Sequence, residues 1–286
     1  AKRRPPAKRG GRQAPARSWR AWLPLALVGL VILGVVALVR NTAGPEPVRL
    51  TGSCTVAGTG LTLTAEQAAS AATIAAVGRA RGLPERAVVI ALATAQQESG
   101  MRNLDHGDRD SLGLFQQRPS QGWGSPEQMR DPVYSAGRFY DGLVRVRGWE
   151  TLRLTDAAQR VQRSGFPEAY QKHEPLAQQL TAAFGAAEPG RLTCRYETPA
   201  PGGRLSARTT AAAAVVEAEL GVVTTERFGA VELASGTGWP EATWAVAHAE
   251  RLGLRSMSHA GSQWTPGGGW APSDAATDVV RLELAR

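Results

Sequence analysis

The first 20 residues contain no aspartate or glutamate, and the 19 residues from Ala21 to Val39 contain no charge of either sign. Lys2, Arg3, Arg4, Lys8, Arg9, Arg12, Arg17 and Arg20 fall in that opening segment, so the rest of the chain balances at 25 basic against 25 acidic residues. The formal net charge of +8 therefore belongs to the tail. A nucleic-acid-binding protein carries its excess charge on a folded face, so no nucleic-acid partner is expected. Cysteine is equally scarce, with two in 286 residues. The four histidines, His106, His173, His248 and His259, lack metal-ligand spacing with one another or with the cysteines, which leaves no zinc site. No internal repeat is present, and glycine and proline recur without a period, which excludes a collagen-like chain. No cofactor is expected.

The uncharged run has the length of a membrane span. At about 1.5 Å per residue, 19 helical residues just cross a hydrocarbon layer of roughly 30 Å. Residues 21–39 thus read as one transmembrane helix after a basic cytoplasmic tail, residues 1–20, with Trp19 and Trp22 at the interface. A cleaved signal peptide would carry a shorter apolar core and a small-residue cleavage site. The expected location is the cell membrane, single-pass, with the N-terminus cytoplasmic and the remainder extracytoplasmic. One span without an ionisable residue makes no transport pathway. In an oxidising space Cys54 and Cys194 are expected to pair, and a bridge closing so long a loop contributes up to about 5 kcal/mol by chain entropy.

Residues 40–53, with Asn41-Thr42-Ala43-Gly44-Pro45, read as a linker. Thr64 with Glu66 and Gln67 is able to cap a helix through about Arg81; Pro84 opens a second that runs to Ser99. The polar segment from Met101 to Gly124 reads as a loop or short β-hairpin. Asp131-Pro132 starts a helix through about Val146, and helical patterns cover 155–163 and 172–185. A second linker is expected at 196–208. Beyond it come a helix at 209–220, strands at Val222–Phe228 and Ala230–Leu233, a helix at 240–252, and strands at Arg255–His259 and Val279–Leu284. The fold class expected is a mainly α domain at 54–195 followed by a small α+β accessory domain at 209–286.

On the helix from Pro84 to Ser99, Glu98 continues the small-residue stripe Ala87, Ala91, Thr94 and Ala95. A carboxylate there is partly desolvated, and desolvation raises a carboxyl pKa toward the range a general acid needs. Gly100 permits a left-handed exit that leaves the helix end facing a cleft.

The motifs AQQESG (Ala95–Gly100), GLFQQ (Gly113–Gln117) and Ala169-Tyr170 resemble the Glu-Ser, Gly-Leu-Met-Gln and Ala-Tyr signatures of lysozyme-fold enzymes like soluble lytic transglycosylases. The stretch from Asn103 to Gly124 resembles a group of membrane-anchored actinobacterial cell-wall proteins of this type. The likeness covers residues 54–195 and departs at Phe115, where the pattern has Met, and at Gln171, where it has Asn. It implies a lysozyme-like fold and cleavage of the β-1,4 bond between N-acetylmuramic acid and N-acetylglucosamine, with peptidoglycan strands as the partner. Glu98 would protonate the glycosidic oxygen and then act as base; Ser99 would orient the N-acetyl group; Gln116 and Tyr170 would hold the sugar and the Glu98 side chain. Gln117 is a further candidate for substrate contact.

A 6-hydroxyl attack within the sugar gives a 1,6-anhydro product and needs one carboxylate. A hydrolytic muramidase needs a second, for which Asp105, Asp108 and Asp110 are candidates, although aspartates in such loops commonly bond nearby backbone N–H groups. The Asp108-x-Asp110 spacing mimics the start of a calcium loop, but the twelfth position is Pro119, so the bidentate Glu is missing. Phe115 and Trp123 offer flat faces for a sugar ring, whereas Tyr134 and Tyr140 fall at helical core positions. Arg109, Arg118 and Arg138 are candidates to meet stem-peptide carboxylates. The accessory domain holds Trp239, Trp244, Trp264 and Trp270, which either fill a small core or, at Trp264 and Trp270, contact the wall or a cell-envelope protein. A non-catalytic wall-binding or assembly protein is the alternative of another class.

Overall fold

Thr64 caps the first long helix as its neighbours imply: its Oγ1 accepts from the Gln67 N–H at 3.2 Å while Gln67 Oε1 accepts from the Thr64 N–H at 3.0 Å. The computed structural model describes residues 50–197, 203–234, 236–274 and 278–286. The tail, the expected transmembrane helix and most of the first linker lie outside the described residues. Among the described residues no helix is long and apolar enough to cross a membrane.

The chain runs β1 (Ser53–Val56), β2 (Thr62–Thr64), α1 (Ala65–Ala80), α2 (Glu85–Ser99), α3 (Pro126–Met129), α4 (Pro132–Leu143), α5 (Leu154–Gln162), α6 (Glu174–Gly185) and β3 (Leu192–Arg195). There follow α7 (Leu205–Leu220), β4 (Thr224–Arg227), β5 (Ala230–Leu233), α8 (Trp239–Leu252), β6 (Leu254–His259), β7 (Ser262–Thr265), β8 (Gly269–Pro272) and β9 (Arg281–Leu284). The strands form two antiparallel sheets, β2-β1-β3 and β4-β5-β9-β6-β7-β8. Cys54 pairs with Cys194 in the β1–β3 register and is bridged to it, as expected.

Helix α1 is the axis of the fold. Its alanines let α2, α4, α7 and α8 approach it on several sides, and twelve of its residues are buried. Tyr140 on α4 is buried and donates to the Ile74 carbonyl at 2.9 Å. Residues 49–286 form one compact unit. The two halves of that unit meet through a buried polar cluster: Glu219 on α7 accepts from Thr73 of α1 at 2.6 Å, from the Trp244 indole at 2.9 Å and from Arg251 at 2.7 Å, and lies 3.1 Å from His248 Nε2. Burial alone would raise the Glu219 pKa; the facing His248 and Arg251 outweigh it and hold the carboxyl far below its usual range.

Several expectations are corrected. The first half carries a three-stranded sheet, whereas the only strands expected there were those of a short hairpin within Met101–Gly124, because strands of three or four residues leave too little alternation to be seen. Residues 51–53 do not belong to the first linker: the Thr51 and Gly52 N–H groups donate to Glu250 of α8, and Ser53 opens β1. Helix α7 begins at Leu205, inside the expected 196–208 linker, since Leu205 packs beneath Gly229 and Arg208 reaches the Ala285 carbonyl. The glycines at 267–269 turn a hairpin between β7 and β8. Trp264 is fully buried, and Trp270 donates to the Leu192 carbonyl at 2.8 Å, pinning one sheet to the other, so neither is the free ligand platform proposed for them.

Candidate active site

Helix α2 ends as Gly100 implies. Gly100 adopts φ 65° and ψ 32°, its N–H bonds the Gln96 carbonyl at 3.1 Å, and the Met101 N–H bonds the Ala95 carbonyl at 3.1 Å. The first turn of α1 locks this exit in place, since Gln67 donates to the Gly100 carbonyl at 3.0 Å and Glu66 accepts from the Asn103 N–H at 3.1 Å. Glu98, one residue before the helix end, is therefore held by four points around it.

The Glu98 side chain is half-buried, and Tyr170 donates to its Oε1 at 2.6 Å. Burial raises the Glu98 pKa above the ordinary carboxylate value; the Tyr170 hydroxyl and the Gln162 side chain beside it pull the other way. Tyr170 is itself buried, and desolvation followed by the Glu98 charge raises its phenol pKa, so it stays a donor. Its backbone leads into the turn Gln171–His173, where His173 Nε2 sits 2.9 Å from Gln97 Oε1 of α2, tying the Tyr170 segment to the helix that carries Glu98. Burial lowers the His173 pKa, favouring a neutral ring there.

The Gly113–Gln117 motif forms a tight turn closed by the reciprocal bonds of Leu112 and Gln117, matching the expected hairpin-like loop. Gly113 has φ 73°, and a Cβ there would lie 2.0 Å from the Met129 carbonyl oxygen, so glycine is required on both counts. Ser99 Oγ donates to the Leu114 carbonyl at 2.8 Å and to Ala95 at 3.1 Å, clamping this turn onto the end of α2. Three motifs far apart in sequence thus meet: Glu-Ser through Ser99 to Leu114, and Ala-Tyr through Tyr170 to Glu98.

Ser99 is buried and spends its hydroxyl on the backbone, which corrects its expected contact with substrate. The Phe115 ring is corrected likewise: it is fully buried and stacked on Phe139 at 4.7 Å, offering no face to a sugar, while its carbonyl accepts from Gln162 Nε2 at 2.7 Å. Gln116, at φ 47°, donates to the carbonyls of Gly113 and His106 within its own loop. Gln117 is buried, and neither of its amide atoms has a partner among the described residues. Trp123 stays partly open, with the Arg138 guanidinium 6.0 Å above its ring.

Asp110 is engaged by Arg118 at 2.7 Å and by the Ser120 N–H and hydroxyl at 2.8 and 3.0 Å, which hold its pKa far below the usual range. Asp105 bonds His106 at 2.7 Å, and that bond lowers its pKa. Both act as loop braces. Asp108 is exposed. Among the described residues no group of three metal-ligating side chains occurs.

Two residues on the way to Tyr170, of which Gln162 flanks Glu98, escaped the sequence reading. Gln162 ends α5 and Phe166, strongly exposed, stands on the loop between it and Tyr170. The only signal was their place just before Ala169-Tyr170. No protein-family model matches the chain, and no curated protein matches it at a significant level.

Proposed function

We propose that this chain cleaves peptidoglycan glycan strands at the β-1,4 bond between N-acetylmuramic acid and N-acetylglucosamine, with Glu98 as the general acid and base of a lytic transglycosylase. The observation that carries this reading is the Tyr170 bond of 2.6 Å to a half-buried carboxyl at the end of α2. A raised pKa favours the protonated form of Glu98, which hands its proton to the bridging oxygen as the C1–O bond breaks. The resulting carboxylate, supported by the Tyr170 hydroxyl, then takes the proton of the muramyl 6-hydroxyl as that oxygen bonds to C1. No water is consumed, and the product ends in a 1,6-anhydro sugar.

The bonds that occupy Asp105 and Asp110 leave the exposed Asp108 as the one candidate of the three free to activate water, so the hydrolytic route runs through that side chain or not through this loop. The lysozyme-like fold of the first half and an outward-facing enzyme anchored through residues 21–39 belong to the same reading. The test is a digest of purified wall with analysis of its fragments by mass. An anhydro end, lighter by one water than a hydrolysed end, supports the proposal; a hydrolysed end assigns a muramidase; binding without fragments assigns a wall-binding protein.

A further inference from the structure

Across Gln162 from the acid lies a cavity of about 620 Å³ between α4, α5 and the Trp123 turn. Its wall nearest the site is Gln162, the residue that braces Phe115 and flanks Glu98. Arg138, Arg145, Arg160 and Arg163 line it, and no aspartate or glutamate does. Arg138 reaches an acid only at 3.9 Å, at Asp141, and spends its other donors on the Gly122 and Trp123 carbonyls. Arg145 bonds the Asp141 backbone carbonyl. Among the described residues, Arg145, Arg160 and Arg163 enter no salt bridge, although the charge of Arg160 is felt by Asp156 one turn before it.

The backbone reinforces the arrangement. Arg163 closes α5 at φ 52°, a left-handed position where glycine or asparagine sits without cost, yet a guanidinium occupies it. Gly142 lets α4 and α5 close up beneath the cavity, since a Cβ there would lie 2.9 Å from Val161. Four like charges around one concavity repel one another unless an anion joins them, and guanidinium forks fit carboxylates in two-point contact.

We propose that this cavity is a subsite for the carboxylates of a peptide carried by the glycan, so that the substrate is a peptide-substituted strand and not bare polysaccharide. The inference rests on the reading of Glu98 as the acid that cuts that strand. A peptide branching from a sugar at Glu98 passes Gln162 to enter the cavity, and three arginines outside any salt bridge match a chain with several acid groups better than a single ion.

The test is titration of the full chain with an alanyl-γ-glutamyl tetrapeptide bearing free carboxylates, with its fully amidated counterpart, and with inorganic phosphate. A second arm uses the variant with Arg145→Gln, Arg160→Gln and Arg163→Gln together, three exposed positions. The acid peptide should bind the native chain at least tenfold more tightly than the amide does, and the triple variant should lose at least tenfold. The variant should also cut peptide-bearing strands at least tenfold more slowly while cutting peptide-free strands at the native rate, with an unchanged melting temperature. Equal affinity for acid and amide peptide, or an unaltered variant, overturns the subsite; phosphate binding as tight as the peptide replaces it with a phosphate site. Tight, arginine-dependent peptide binding by a chain that releases no fragments leaves the subsite standing and removes the glycan-cleaving role of Glu98. Cleavage that ignores the peptide removes the subsite alone.

Discussion

The Tyr170 hydroxyl donates to Glu98 Oε1 across 2.6 Å, joining residues 72 positions apart. This bond stabilises the ionised form of the acid against the burial that disfavours it. Tyr170→Phe should therefore raise the Glu98 pKa further and move the alkaline limb of the pH-rate profile upward. It should also slow turnover about tenfold, the scale of a lost hydrogen bond to a charged group. The pH-rate profile on purified wall checks both effects.

Glu98 also links stability to pH. Its folded pKa lies above the ordinary 4.5, so the folded chain keeps a proton that the unfolded chain releases. The associated stability is fully present below the unfolded pKa and is lost as pH rises through the folded one. Glu98→Gln cannot ionise, so its melting temperature should rise relative to the native chain across that window. Paired melting curves from about pH 4 upward measure the difference, and parallel curves would contradict it.

Gly113 and Gly122 separate two costs of a side chain. Both have positive φ, 73° and 79°, but only at Gly113 would a Cβ strike a backbone atom, the Met129 carbonyl oxygen, whereas Gly122 has open space. Gly122→Ala should cost about 1 kcal/mol, the left-handed penalty alone. Gly113→Ala should cost clearly more and lower activity, because the turn it displaces is held by Ser99. Chemical denaturation of the two variants compares them.

The Glu219 cluster should make the two halves unfold together. Glu219→Ala leaves His248 and Arg251 facing a buried gap, and breaking such a pair costs about 3 to 5 kcal/mol. A single calorimetric transition at lowered temperature is expected. Two separate transitions in the native chain would contradict the coupling.

What could be read in advance was what depends on neighbours in sequence. The Thr64 cap, the Gly100 exit and the Asp131-Pro132 start are local signals, and each marks its helix end. The pairing of Cys54 with Cys194 followed from there being only two cysteines. The β1–β3 ladder and the early start of α7 were hidden because partners far along the chain create them: Leu205 is helical where Gly229 receives it. The same limit governed the site. Glu98 was legible from its helical stripe and motif, but whether Phe115 faces a sugar or Phe139 is decided by packing. Gln162 and the arginine cavity exist only once α4 and α5 come together.

The most direct measurement compares fragment release from purified wall by the native chain and by Glu98→Gln, at equal concentration and with melting curves taken alongside. Release should fall about a thousandfold, the scale of removing a general acid, while the variant melts no lower than the native chain. A folded variant that frees fragments at the native rate would contradict the role assigned to Glu98.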